Sequence, residues 1–400
     1  MRLPPLKKSK LTKFLFFIAI FLFPYSFYRP FAINFTFSDG FLFLCLLLII
    51  FFRYIKVPLA NIMATSLLLL GYFISVFKII DVSAYLLGML QYFVVFFILP
   101  LVVYNVIRTK KDLQQAIFVY FIALFFSFLY NVGILLDIFP KLYGTFRLGG
   151  TFVNPNALAK VAGVSMVGAF VLVTSLKGSI YKKIFLSIHF ILAGFILVAS
   201  GSFGGIFFTA ITLFAYIIFI LIQQLKKFKI GGAIKIVSVS IIFLIILSVF
   251  FRFYAPPAYE KRLIKSSSLE TTGSAEIKIS QMLHGINLFL NAPLIGVGCE
   301  QMKHHNISQD MTMHNFYIII ANEGGILSLI GLLIFLSLII RRGIFLEDVI
   351  LRRFFCFTIL SFLLNALTSA NLYSRLHWFP IIFVFYGVAS LNKSIMILHK

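Results

Sequence analysis

Apolar runs, most of them of roughly 18–25 residues and so enough to cross a hydrocarbon core as helix, recur along the chain between polar intervals. They fall near 14–28, 41–52, 59–77, 84–107, 113–138, 157–176, 184–199, 205–222, 234–251, 316–340, 349–369 and 378–391. The second run is closed early by Arg53 and Lys56. A β-barrel would instead show alternating strands of about 10 residues, and none appear. The pattern predicts an all-α polytopic membrane protein of about 12 transmembrane helices, each satisfying its own backbone in lipid. Residues 1–251 would hold helices one to nine on short loops, and 252–315 one large outer loop. Residues 316–400 would hold helices ten to twelve and a cytoplasmic tail.

Composition agrees with that pattern. The chain is 61% hydrophobic and only 12% charged, against about 45–50% apolar in ordinary domains, so polar surface is too scarce for a soluble fold. A net charge of +23 would suit nucleic acid, but the lysines and arginines lie in short clusters between apolar runs, which is the signature of cytoplasmic loops. Nucleic acid is therefore excluded as a partner. The basic flank of Lys7, Lys8, Lys10 and Lys13 precedes the first run, and no small-residue cleavage site follows it. An uncleaved first span is expected rather than a signal peptide.

Placing the N-terminus inside puts Arg53/Lys56, Arg108/Lys110/Lys111, Lys177/Lys182/Lys183 and Lys226/Lys227/Lys229 in cytoplasmic loops. Arg341, Arg342, Arg352 and Arg353 fall there too, as does the tail with Lys393 and Lys400. The short connections on the opposite face carry only isolated cations such as Arg29, Lys78, Lys141, Arg147 and Arg375. Both termini are thus expected in the cytoplasm of a multi-pass protein. The segment 139–156, the Ser200-Gly201-Ser202 turn, the long loop and 371–378 would then share the outer face, as a single catalytic or translocation site requires.

Polar chemistry concentrates in 252–323, which holds His284, His304, His305 and His314 and, among its acids, Glu260, Glu270, Glu276, Glu300 and Asp310. Ionisable groups are costly deep in hydrocarbon, so a wet loop meeting the membrane is where they can work. His314 stands at the mouth of a span, followed by Asn315. An imidazole there can take a proton from a hydroxyl, or it can simply be an interfacial histidine. Adjacent His304 and His305 carry no fixed Cys/His/acid spacing, so no metal is expected. Cys45, Cys299 and Cys356 suggest no disulfide framework.

A second polar stretch, Tyr143-Gly-Thr-Phe-Arg147-Leu-Gly-Gly-Thr151-Phe-Val-Asn154-Pro155-Asn156, is glycine-rich and ends before a span. Asn156 could cap that helix, whose N-terminal end favours an anion, and Arg147 offers a planar cation suited to phosphate. The plainer account is a re-entry turn with an arginine reaching for headgroups. The small residues of Ser200-Gly-Ser-Phe-Gly-Gly205 suit close helix packing.

Three pieces together resemble the O-antigen ligase / O-antigen polymerase superfamily of bacterial membrane glycosyltransferases. They are Gly150-Thr-Phe-Val-Asn-Pro-Asn156, Ala292-Pro-Leu-Ile-Gly-Val-Gly298, and His314-Asn315 followed by Asn322-Glu-Gly-Gly-Ile326. The resemblance spans roughly 143–331; earlier spans match only in hydropathy. It implies a GT-C-like fold and a transfer on the outer face of the inner membrane that needs neither metal nor cofactor. The donor would be an undecaprenyl-pyrophosphate-linked glycan and the acceptor a glycan or a lipid, amid membrane lipids, with a chain-length regulator protein as a conceivable partner.

By position, Arg147 looks like a pyrophosphate ligand, His314 like the base, and Asn154, Asn156 and Asn315 like substrate contacts. The chain departs from the family at Phe203, where an arginine is common, and at Glu276 and Lys278, where another is expected. Lys278 is the substitute second phosphate ligand, with Lys160 and Arg252 behind it. No feature marks a lipid A-core acceptor surface, which favours a polymerase over a ligase. A flippase would line its spans with charges, which are nearly missing here, and a scaffold would not need the glycine-rich turn with Arg147.

Overall fold

The computed structural model describes residues 5–25, 35–52, 55–56, 59–140, 148–152, 154–176, 178–226, 275–305, 313–368 and 382. Every regular element among them is helical. In order they are α1 (Pro5–Leu22), α2 (Phe37–Phe51), α3 (Leu59–Ile74), α4 (Val82–Phe93), α5 (Leu99–Val106) and α6 (Lys110–Leu135). There follow α7 (Pro155–Ser175), α8 (Ile180–Ala199), α9 (Phe203–Leu225), α10 (Ala275–Asn291), α11 (Phe316–Ile344) and α12 (Val349–Ala366). Helices thus stand at the first eight expected spans and at the tenth and eleventh. The spans expected at 234–251 and, apart from residue 382, at 378–391 lie outside the described residues. Among the described helices, 7 are long and apolar enough to cross a membrane, counting α4 and α5 as the one span Val82–Val106.

Local chemistry sets the helix boundaries. Thr36 and Asp39 close a capping box on α2, with the Thr36 N–H donating to Asp39 Oδ2 at 2.8 Å. Asp81 accepts the Ala84 N–H at 3.0 Å to start α4. Between α4 and α5 lies one π turn, Val94–Ile98, and its cause is Pro100. Proline has no N–H to give the carbonyl four residues back, and Phe96 O instead accepts Thr65 Oγ1 at 3.2 Å.

The chain divides into two compact units, residues 1–127 with 278–356 and 366–400, and residues 128–277 with 357–365. In the first, α1 packs on α2 and α3 lies along α11. That second contact is nearly backbone to backbone. Gly71, Gly324 and Gly331 leave no bulk between the helices, and Ser328 Oγ donates to Leu68 O at 2.7 Å. Several of the basic loops grouped by the charge pattern meet one another here. Lys13 pairs with Asp112, Lys110 with Asp348 at 2.5 Å, and the Lys56 N–H with Asn105 Oδ1 at 2.7 Å.

In the second unit α7 packs against both α8 and α9 and is almost wholly buried. The small residues after α8 serve the packing expected of them, since a Cβ on Gly205 would fall 2.8 Å from Ala159 Cβ.

Candidate active site

The apolar run of α11 is interrupted at Gly325, whose φ of 66° and ψ of −165° break the helix. Glycine suits this position because a Cβ there would meet Leu294 O at 2.3 Å, in a backbone region that side chains disfavour. The break strands backbone groups, which lipid cannot satisfy. The turn after α10 satisfies them. Val297 N–H donates to Asn322 O at 2.7 Å and Gly298 N–H to Glu323 O at 3.0 Å, while Ile326 N–H returns to Pro293 O at 2.8 Å. Two of the motifs noticed in the sequence are therefore one structural object.

Side chains lock this object in place. Glu323 is 3% exposed; its Oε1 accepts the Glu300 N–H at 3.0 Å and its Oε2 the Tyr92 hydroxyl at 3.2 Å. Tyr72 stacks on Tyr92 with ring centroids 4.5 Å apart. Asn322 Nδ2 donates to Gly285 O of α10 and to Ile318 O, both at 2.9 Å. Gln301, fully buried, accepts the Ile80 and Asp81 N–H groups at 2.9 and 2.7 Å and donates to Asp81 O at 2.9 Å. The loop is thereby fastened to the α3–α4 connection.

His314 is half-buried just before α11. Asn315 is the N-cap, its Oδ1 accepting the Tyr317 and Ile318 N–H groups at 3.0 and 3.1 Å. Lys278 stands on α10. His284 Nε2 is 2.9 Å from His305 O. Partial burial and then the neighbouring His304, Lys78 and His284 hold the His305 imidazole below its ordinary pKa. Burial, followed by the carboxyls of Glu323 and Glu300, pushes the Cys299 thiol well above its usual range. Among the described residues no three His, Cys, Asp or Glu side chains are placed to hold one metal ion.

In the second unit the stretch ahead of α7 is held from the C-terminal part of α6. Asn131, fully buried, accepts the Thr151 N–H at 3.2 Å through Oδ1. Gly150, at φ 48°, has no room for a Cβ beside that oxygen. The cap of α7 is Asn154, which accepts the Asn156 and Ala157 N–H groups at 2.8 and 3.4 Å. This corrects the expected cap at Asn156. Pro155 takes the first helical position, where its fixed φ helps and its missing N–H costs nothing, so the cap moves back to Asn154. Lys160 is buried in the second turn, 3% exposed.

Residues 188–336 match the family model Wzy_C, described as O-antigen ligase. The match supports the O-antigen ligase / O-antigen polymerase superfamily. Comparison with curated proteins found no match. The matched ligase-type region contains α10, the turn, His314, Asn315 and the break in α11, whereas the 150–156 stretch precedes it. With the apolar helices, it supports a multi-pass membrane enzyme of ligase or polymerase type in polysaccharide biosynthesis.

Of the residues nominated from sequence, the structure gathers Lys278, His314 and Asn315 in the first unit and Asn154 and Asn156 in the second. Arg147 and Arg252 lie outside the described residues. Sequence reasoning missed Glu323 and Asn131 as the pins of the two stretches. Glu323 carried a usable signal, because an acid within an apolar span is a functional candidate by default. Asn131 carried none, being one amide within an apolar helix.

Proposed function

We propose that the protein transfers or polymerises undecaprenyl-pyrophosphate-linked oligosaccharide on the outer face of the cytoplasmic membrane. The observation that carries this reading is the ligase-type match over 188–336, whose two motifs interlock at the break in α11 beside the capped mouth that holds His314. His314 takes the proton of the acceptor hydroxyl. The freed oxygen attacks the anomeric carbon of the donor sugar, and the bond from that carbon to the pyrophosphate oxygen breaks. Undecaprenyl pyrophosphate leaves with the bonding pair, and cations offset its charge.

Arg147 supplies a planar, bidentate contact of that kind, with Lys278 and Arg252 as further phosphate ligands. Asn154, Asn156 and Asn315 are assigned to substrate binding. Because Asn154 and Asn315 already cap helices through their side-chain oxygens, their remaining amide hydrogens are the groups to offer. No metal enters the reaction.

The description O-antigen ligase favours a second acceptor, lipid A-core in place of a growing glycan. Assays with each acceptor separate the two. The mechanism is tested by His314→Ala in a purified system, where turnover should fall by about 10²–10⁴-fold, the usual contribution of a general base, with donor binding retained. EDTA should leave turnover unchanged. If EDTA abolishes activity and a divalent ion restores it, the base assignment is wrong and the loop histidines are ligands.

A further inference from the structure

Helix α10 presents two dissimilar faces. One is packed, since a Cβ on Gly285 would lie 2.3 Å from Met313 Cε and 2.6 Å from Ile318 Cγ2, and the Gly285 carbonyl accepts Asn322 Nδ2 at 2.9 Å. The other is bare and apolar, with Ile279, Leu283, Ile286 and Leu290 exposed by 57, 58, 43 and 64%. At 3.6 residues per turn these four fall within an arc of about 60°. Leu294, 70% exposed, follows just past the helix end. Exposed Ser280 and Asn287 flank the stripe on the side away from the packed face.

The C-terminal end of α10 fixes its depth. The turn that follows it exchanges backbone hydrogen bonds with residues 322–326 of α11, a helix long and apolar enough to span a membrane. Gly325 precedes the basic end at Arg341 by 16 positions, about 24 Å of helix, and a hydrocarbon core is about 30 Å thick. The turn therefore meets α11 just inside the edge of the core remote from Arg341 and Arg342. Below it α11 is also bare at Ile330, Leu333 and Ile334, which are 39, 49 and 41% exposed. Beyond the turn α10 passes Ile318, so its C-terminal half lies at the level of the membrane boundary.

A contiguous row of bare aliphatic side chains is unfavourable in water and marks an interaction surface. At a bilayer boundary, an apolar stripe with a polar flank is how an interfacial helix sits, its stripe among acyl chains and its flank among headgroups. We propose that α10 is a membrane-interface helix, with Leu283, Ile286, Leu290 and Leu294 seated in the acyl chains of the leaflet remote from Arg341. The last part of the stretch read from sequence as an aqueous loop is then a lipid-anchored strut holding the 293–298 turn level with Glu323. This placement is independent of which glycan is transferred.

The test uses the full-length protein in phosphatidylcholine–phosphatidylglycerol bilayers, spin-labelled at Leu283→Cys, Leu290→Cys, Ser280→Cys or Asn287→Cys, with the signal of the unsubstituted chain subtracted. Collision with dissolved oxygen, enriched in lipid, is compared with collision with a water-soluble nickel chelate. At 283 and 290 oxygen should be favoured several-fold over the ratio at 280 and 287. Preference for the chelate at 283 and 290 would show a wet face and overturn the proposal. Protection from both reagents would overturn it as well, showing that protein, from this chain or a second copy, covers the stripe. Loss of transfer in the His314 variant would leave these ratios unchanged, so the two readings fail separately.

Discussion

Glu323→Ala tests whether the buried carboxyl pins the loop to the broken helix. The substitution removes the acceptor of the Glu300 N–H, now at 3.0 Å, and of the Tyr92 hydroxyl, now at 3.2 Å. Leaving a buried donor unmade costs about 1–3 kcal/mol. Of the two bonds that the Glu323 side chain accepts, only the one from Glu300 is broken when the loop lifts off α11, so only that one changes the local opening equilibrium in the variant. One such bond corresponds to roughly a 5- to 150-fold rise in the open population, at 1.36 kcal/mol per tenfold.

Cys299 reports that population. It is fully buried beside Glu300, and its raised pKa makes it inert while the loop is closed. Alkylation of the peptide containing Cys299, followed by mass spectrometry, should therefore accelerate by that factor in the alanine variant. Glu323→Gln also removes the ionisable carboxyl but keeps an oxygen for Glu300 and offers an amide hydrogen to the Tyr92 oxygen, so it should stay near wild type. Equal acceleration in both variants would mean that the carboxyl itself, not the hydrogen bond to Glu300, governs the thiol. An unchanged rate in the alanine variant would refute the pin.

Gly325→Ala should lower thermal stability well beyond the ~1–2 kcal/mol of left-handed strain, because its Cβ also meets Leu294 O at 2.3 Å; Gly178→Ala, strained but in open space, should cost the strain alone when both are melted in detergent. Burial tends to raise the Asp348 carboxyl, but Lys110 and the Leu351 and Ile350 N–H groups outweigh it and hold its pKa below the ordinary 3.8. Its stabilising effect is complete above that value and disappears as pH falls through the lowered one, so acid melting curves of Asp348→Asn should converge with wild type only below pH 3.8. In intact cells, cysteines at Ser267 and Ser374 should react with an impermeant thiol reagent while one at Ser179 does not; the reverse result would invert the orientation.

What the sequence determined by itself was whatever lipid enforces locally. A chain segment surrounded by hydrocarbon must satisfy its own backbone, so apolar length alone located α2 to α9, α11 and α12 to within a few residues, and the basic clusters grouped loops that the structure brings together at Lys13 and Asp112 and at Lys110 and Asp348. Caps were legible only in part, because Asn154 and Asn156 have the same chemistry and Pro155 between them decides which one is used.

Hydropathy did not reveal helix α10, because its apolar stripe repeats at helical spacing inside a polar stretch too short of hydrophobic residues to read as a span. The turn at 293–298 and the break at 322–326 were both visible as motifs, yet nothing in either motif says that they hydrogen-bond to each other. That pairing depends on Gly325 leaving the helix and on Gly285 letting α10 lie against α11. The burial of Glu323 between Tyr92 and Glu300 follows from the same closure. Such contacts join residues far apart in the chain, and only the path of the folded backbone brings their donors and acceptors to 3.0 and 3.2 Å.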